Sequence, residues 1–139
     1  MRVFLDANVL FSGALPNSRM HSLLMLLFER AECVTNTYAL AEARLNLEIK
    51  FPGAIPVLEA LVQKCTVSVF LSDQVPVVLK PKDRPILAGA IAASTTHLMT
   101  GDVTDFGHLF GKTIVGVKVV SPRLLAEELV ALGWLSREY

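Results

Sequence analysis

Five acidic side chains stand at positions from which they could act together on one bound ion: Asp6, Glu42, Asp83, Asp102 and Asp105. Asp6 directly follows one apolar segment, and Asp102 lies just beyond another. If these carboxylates converge within a few ångströms, they cannot all be ionised without a counter-charge. Mg²⁺ or Mn²⁺ would supply that charge, because these hard cations take oxygen ligands and need only a few protein carboxylates. The residue types therefore predict a divalent-metal site, provided that the fold brings them together.

The elements that must position these acids are short strands alternating with longer helices, which is typical of a parallel sheet flanked by helices. The sequence predicts five strands, all parallel, at 3–5, 33–35, 66–70, 97–100 and 117–120. It predicts helices at 22–30, 38–50 and 55–62, another opened by Asp83, and a last one capped by Ser121. In open sheets of this class, ligands bind beyond the carboxyl ends of the strands. Acids at those ends are therefore the best candidates for binding a ligand.

Two helix positions add to this expectation. Glu42 lies about one and a half turns into a helix capped by Asn36 or Thr37, so its long side chain could reach back toward the same edge of the sheet. Gly89 stands inside the helix that Asp83 opens, where glycine costs about 1 kcal/mol relative to alanine. We expect close approach of that helix to the sheet to explain the glycine.

The acids also have purely structural interpretations. Asp83 and Asp105 occupy positions typical of helix N-caps, and an isolated Glu42 would most simply belong to a solvated helix face. Asp6 is harder to explain in this way, because no helix is predicted directly after it unless Ala7 begins one.

Composition excludes several classes of protein. With 139 residues, 53% hydrophobic and 19% charged, the chain is expected to be a single globular domain over 1–139 rather than a disordered one. It has 13 basic and 13 acidic residues, so no global field attracts nucleic acid or membrane. If five acids share one pocket, however, the remaining surface carries a net charge of +5.

The sequence contains no motif for membrane insertion, for secretion or for cysteine chemistry. No segment reaches the roughly 20 predominantly apolar residues of a membrane-spanning helix, and no signal-peptide pattern is present, so we expect a cytoplasmic protein with no membrane partner. The two cysteines, Cys33 and Cys65, form no CxxC motif and predict neither a disulfide framework nor a zinc site.

Four segments resemble the ordered motifs of one known family. They are FLDANVLFSG at 4–13, NTYALAEARL at 36–45, KDRPILAGAIAA at 82–93 and LMTGDVTDF at 98–106. Taken together, in this order and spacing, they resemble the PIN-domain ribonucleases, many of which are VapC-like toxins of toxin–antitoxin pairs. The resemblance implies a three-layer α/β/α sandwich with a five-stranded parallel sheet of order 3-2-1-4-5. It also implies a Mg²⁺- or Mn²⁺-dependent endoribonuclease that acts on single-stranded RNA.

The same resemblance assigns roles to residues of this chain. It implies that four acids are catalytic and bind the metal, namely Asp6, Glu42, Asp83 and Asp102. Asp105 matches a less uniform acid of the family and is expected as a further metal ligand. Asn8, Asn36 and Thr100 are expected to orient the acids or water, although Asn36 stands where many family members have Ser or Thr.

Basic residues near Asp83 are candidates for binding the substrate. We expect Lys80, Lys82 and Arg84 to contact the RNA backbone through phosphates, with an ordinary solvated loop as the alternative. The family resemblance makes a cognate antitoxin protein a candidate partner and allows a homodimer, while a free-standing processing nuclease is equally compatible with the residues.

Two other functions are compatible with parts of the pattern. One is a PIN-fold module that has lost activity and only binds RNA or protein. The other is a haloacid-dehalogenase-like phosphatase or a phospho-receiver, both of which also place an aspartate after the first strand. That phosphatase pattern needs a second acid two residues later, where this chain has Asn8.

Overall fold

Short buried strands alternate with helices along the chain, as the apolar pattern predicts. In the computed structural model, which describes residues 1–137, six strands form one sheet flanked by helices. The strands are β1 (Arg2–Leu5), β2 (Glu32–Asn36), β3 (Thr66–Ser68), β4 (His97–Met99), β5 (Thr113–Ile114) and β6 (Val117–Val120). The predicted α/β class, with a mostly parallel central sheet, is confirmed.

Seven α-helices connect and cover the strands in the described part of the chain. They are α1 (Ala7–Gly13), α2 (Arg19–Arg30), α3 (Thr37–Lys50), α4 (Ile55–Val62), α5 (Arg84–Ala92), α6 (Val103–Phe106) and α7 (Pro122–Ala131). Between residues 1 and 137, none of the helices combines the length and apolar composition needed to cross a bilayer.

The sheet differs from the prediction at one edge. Its order is β3-β2-β1-β4-β6-β5, so the five parallel strands follow the expected order, with β6 in the fifth place. The prediction of only five strands was wrong, because β5 pairs antiparallel with β6. Val115 and Gly116 form the two-residue turn between them with φ of 47° and 81°. Turns of this kind usually contain Asn-Gly or Asp-Gly, so Val-Gly carries little sequence signal.

Three local boundaries also differ from the prediction. Helix α1 begins directly after Asp6, and the N-cap of α2 is Ser18 rather than Ser22, because the Ser18 side chain accepts a hydrogen bond from the His21 N–H at 3.0 Å. Strand β3 ends at Ser68 rather than Phe70. The following side chains are exposed at this sheet edge, so neither face is buried enough to extend the strand.

The two central strands create the rim on which the acids lie. β1 and β4 are paired in parallel, with Leu5 opposite Met99, and both side chains are fully buried. Both strands are buried throughout their last three residues, as expected for a sheet covered on both faces. The residues immediately after them, Asp6 and Thr100, therefore emerge side by side at the carboxyl edge.

Gly89 lies where α5 approaches the sheet most closely, which confirms the predicted reason for the glycine. A Cβ atom at this position would lie 2.5 Å from Asn36 Nδ2 and 3.2 Å from the Phe4 ring. Asn36 and Phe4 are both fully buried, so neither has room to move away.

We therefore expect Gly89→Ala to lower the free energy of unfolding by about 1–3 kcal/mol, as overpacking does, although alanine favours helix. Urea unfolding would measure the change. Gly53→Ala is the matched control, because a Cβ at Gly53 meets nothing within 4 Å. Equal stability of the two variants would contradict this account of Gly89.

Candidate metal centre

Asp6 is held rigidly at the end of β1. Its backbone N–H donates to the Met99 carbonyl at 3.2 Å, and its carboxylate accepts hydrogen bonds from the Ala7 N–H at 2.6 Å and the Thr100 hydroxyl at 2.7 Å. The residue is only 4% exposed. Burial, with a smaller contribution from Glu42, raises the pKa of Asp6 to about 6 against the lowering effect of these hydrogen bonds. A buried carboxyl of this kind is stabilised by any cation that approaches it.

Thr100 and Asn8 connect Asp6 to the loop that carries Asp102. The Thr100 hydroxyl, which donates to Asp6, accepts from the Asp102 N–H at 3.1 Å. Asn8 donates to Asp6 at 3.2 Å and to Thr100 at 3.2 Å, while its side-chain oxygen accepts from the Gly101 N–H at 2.7 Å. These contacts set the position of the Asp102 loop relative to Asp6.

Asp83 occupies the N-cap position of α5 but does not act as a cap. Its side chain accepts no hydrogen bond from the helix, and its Oδ2 atom is buried without a hydrogen-bond partner among the residues the structure describes. Burial raises the pKa of Asp83, and nearby Lys82 lowers it. A buried carboxylate oxygen with no donor is costly unless something absent from the protein chain satisfies it. This arrangement argues for a ligand at Asp83 rather than a capping role.

Asp105 is the acid that lysines already neutralise. Lys80 Nζ lies 2.8 Å from its Oδ1, and Lys82 Nζ lies 2.7 Å from its Oδ2 and 3.3 Å from Asp83 Oδ1. These two lysines hold the pKa of Asp105 well below its usual range. Asp105 is not an N-cap either, because Asp102 caps α6 by accepting from the Asp105 N–H at 3.0 Å.

The acids converge on one cavity of about 370 Å³. Asp6, Glu42, Asp83 and Asp102 line it together with Lys82. One carboxylate oxygen from each of Asp83, Asp102 and Asp105 also lies within 4.8 Å of the other two. All of these donors are oxygens, one of them is buried and unpaired, and the set suits a hard divalent cation such as Mg²⁺ or Mn²⁺.

Two of the other predicted site residues, Asn36 and Arg84, do not line the cavity. Asn36 is fully buried, caps α3 by accepting from the Ala39 N–H at 2.9 Å, and donates to the Pro85 carbonyl at 3.2 Å. It thereby ties α3 to the start of α5 without lining the cavity. Arg84 donates through Nε to the Leu79 carbonyl at 3.1 Å and also lies outside the lining.

Sequence reasoning missed part of the cavity wall. Phe11, Asn46 and Lys50 line it beside the acids, and none of them was predicted. Asn46 and Lys50 follow Glu42 by four and eight residues, so helical spacing alone places them on the same face of α3. Phe11 belongs to α1, the helix that the sequence did not predict, and therefore carried no comparable signal.

Comparison with known proteins gives a structural neighbour without a sequence relative. No family model matches this sequence, and no curated protein does so either. The fold is similar to a chain in the crystal structure of VapBC2 from Rickettsia felis bound to a DNA fragment from their promoter. The TM-score is 0.65 and the identity 15%, over 87% of this chain and 98% of that one. A likeness at this identity establishes the fold, which is PIN-like.

Proposed function

We propose that this protein is a divalent-metal-dependent endoribonuclease that hydrolyses phosphodiester bonds of single-stranded RNA. The observation that carries the proposal is the buried, unpaired Oδ2 of Asp83, in a cavity that three other acids also line. Such a site is poorly suited to an apolar ligand, and it matches the oxygen-rich chemistry with which proteins bind Mg²⁺ or Mn²⁺ at phosphates.

In the proposed active site, the acids have different roles. Asp83, Asp102 and Asp105 would hold the cation, and Asp6 would complete the negative charge around it from the buried side. When bound, Mg²⁺ or Mn²⁺ supplies Lewis-acid activation of water and offsets negative charge on the scissile phosphate. Glu42 is exposed on the cavity wall, where we assign it the acceptance of a proton from the attacking water.

The surrounding residues support these acids. Asn8 and Thr100 would keep Asp6 and the Asp102 loop in register through the hydrogen bonds described above. Lys82 lines the cavity and pairs with Asp105, and we propose that its ammonium would turn from Asp105 to a substrate phosphate. Lys80 and Arg84 are proposed as backbone contacts farther along the RNA.

We further propose that the chain is the toxin component of a toxin–antitoxin pair, cytoplasmic, and inhibited by a separate antitoxin protein. Its support is the fold likeness to a chain of VapBC2, which was crystallised with promoter DNA. A homodimer is proposed on the family resemblance alone. The phosphatase alternative is disfavoured because the Asn8 amide, which replaces the required second acid, is fully engaged with Asp6, Thr100 and Gly101.

Metal removal tests the proposed function. We expect the purified protein to cleave a labelled single-stranded RNA in Mn²⁺ or Mg²⁺ and to lose this activity in EDTA, with recovery when the metal is restored. Gel electrophoresis of the products measures cleavage, and a duplex of the same sequence is the control substrate. Full activity in EDTA would refute the metal mechanism, and binding without cleavage would favour the inactive-module alternative.

A further inference from the structure

The acidic cavity has a second wall that the proposed chemistry does not use. Phe11 and Lys50 line it, and the Lys50 ammonium lies 5.7 Å from the centroid of the Phe11 ring. Phe51, the next residue, packs its ring against Phe11 with centroids 6.1 Å apart and planes tilted by 53°. The Lys50 cation and the Phe11 ring therefore share the cavity with the acids, and the Phe51 ring packs against Phe11.

Lys50 differs from the other lysine on the cavity wall. Lys82 pairs with Asp83 and Asp105, whereas Lys50 forms no ion pair with any residue from 1 to 137 in the structure. Its ammonium is instead held over the Phe11 ring, an interaction that orients the cation without neutralising its charge. Lys50 can therefore bind a phosphate without first breaking a salt bridge.

Phe51 does not line the cavity itself but provides an exposed aromatic ring next to Phe11 at its border. Its side chain is 49% exposed, although a phenylalanine in the core would be fully covered. Its backbone N–H donates to the Leu47 carbonyl at 2.7 Å, which fixes the residue at the end of α3. The exposed Phe51 ring is thus attached at a fixed backbone position, directly after Lys50 in the chain. Aromatic rings that stack bases, next to cations that contact phosphates, are the recurring elements of single-stranded nucleic acid binding.

We propose that Lys50 and Phe51 form a nucleotide subsite beside the acidic cluster, in which Lys50 contacts a phosphate and Phe51 stacks on a base. The proposal rests on the proposed nuclease function and adds a basis for its substrate class. A base within a duplex is already stacked on its neighbours, so this subsite favours unpaired nucleotides. We expect the subsite to bind all four bases similarly, because every base has a π-face on which the ring can stack.

Binding experiments test the subsite separately from catalysis. We would measure the anisotropy of a fluorescein-labelled single-stranded RNA in Mg²⁺, with Asp102→Asn as the parent protein to prevent turnover. Phe51→Leu and Lys50→Gln are each expected to weaken binding about ten-fold. The matched controls are Phe70→Leu and Lys112→Gln, which alter an exposed phenylalanine and an exposed lysine outside the cavity and are expected to leave affinity unchanged.

An abasic oligonucleotide separates stacking from charge. With abasic RNA, Phe51→Leu is expected to lose its effect, because no base remains to stack, whereas Lys50→Gln still weakens binding. Unchanged affinity in both variants, or no binding by the parent protein, overturns the subsite. Cleavage by the wild-type protein is measured independently. If it cleaves RNA and the affinity is unchanged in both variants, the subsite is refuted and the nuclease function is not. A binding defect in a protein that cleaves nothing supports the subsite and refutes the nuclease.

Discussion

Asp102→Asn is expected to reduce RNA cleavage about a thousand-fold while the protein stays folded. Losing one carboxylate from the cation site removes several kcal/mol of charge stabilisation, and each 1.36 kcal/mol is a factor of ten in rate. The fold should tolerate the change, because the asparagine oxygen can still cap α6 by accepting the hydrogen bond from the Asp105 N–H. Cleavage rates at saturating Mn²⁺, together with circular dichroism, would measure both effects.

Glu127→Gln provides the matched control for that experiment. Glu127 is an exposed acid on α7 that pairs with Arg123 at 3.4 Å and lies outside the cavity. The Glu127→Gln substitution removes the same charge from the chain as Asp102→Asn, but outside the cavity, so we expect full activity. If both variants cleave at the wild-type rate, Asp102 is not part of the reacting site.

The metal-free protein is expected to become less stable as the pH rises from about 4 to 7, with Asp6 contributing about 3 kcal/mol of the loss. The folded state raises the pKa of Asp6 from 3.8 to about 6, so folding holds a proton that the unfolded chain has released. Each pKa unit corresponds to 1.36 kcal/mol. Stability is therefore fully retained below the unfolded pKa and falls until the pH passes the folded pKa. This direction is opposite to that of a salt-bridged aspartate.

Urea unfolding in EDTA across this pH range would measure the effect, with Asp6→Asn as the comparison. The substitution removes the titrating group, so its stability profile is expected to be flatter than that of the wild type by about the same 3 kcal/mol. The absolute stability of Asp6→Asn is not the readout, because the single amide oxygen cannot accept both the hydrogen bond from the Ala7 N–H and the one from the Thr100 hydroxyl. Parallel profiles would show that Asp6 does not titrate in this range.

Much of the fold follows from interactions that are local in sequence. The central strands are predictable because consecutive apolar residues indicate burial on both faces. Capping acts within three residues, so the sequence predicts Ser121 as one N-cap and narrows another to Asn36 or Thr37, of which the structure uses Asn36. The same reasoning failed where the signal was weak or distant. Helix α1 lacks a distinctive pattern, and the β5–β6 turn uses Val115 at a positive φ that its residue type disfavours.

The sequence by itself determined which acids can meet. Asp6 and Asp102 each follow a predicted parallel strand, and the carboxyl ends of parallel strands share one edge of a sheet, so the sequence predicts both acids at that edge. The adjacency of their two strands was implied by the family resemblance. The tertiary structure alone decided how each acid is compensated. Lys80 and Lys82 pair with Asp105 across more than twenty residues, while Asp83 keeps a buried oxygen without a partner. The physical reason is that apolar strands and helix caps depend on residues close in sequence, whereas charge pairing and desolvation depend on which distant loops pack together.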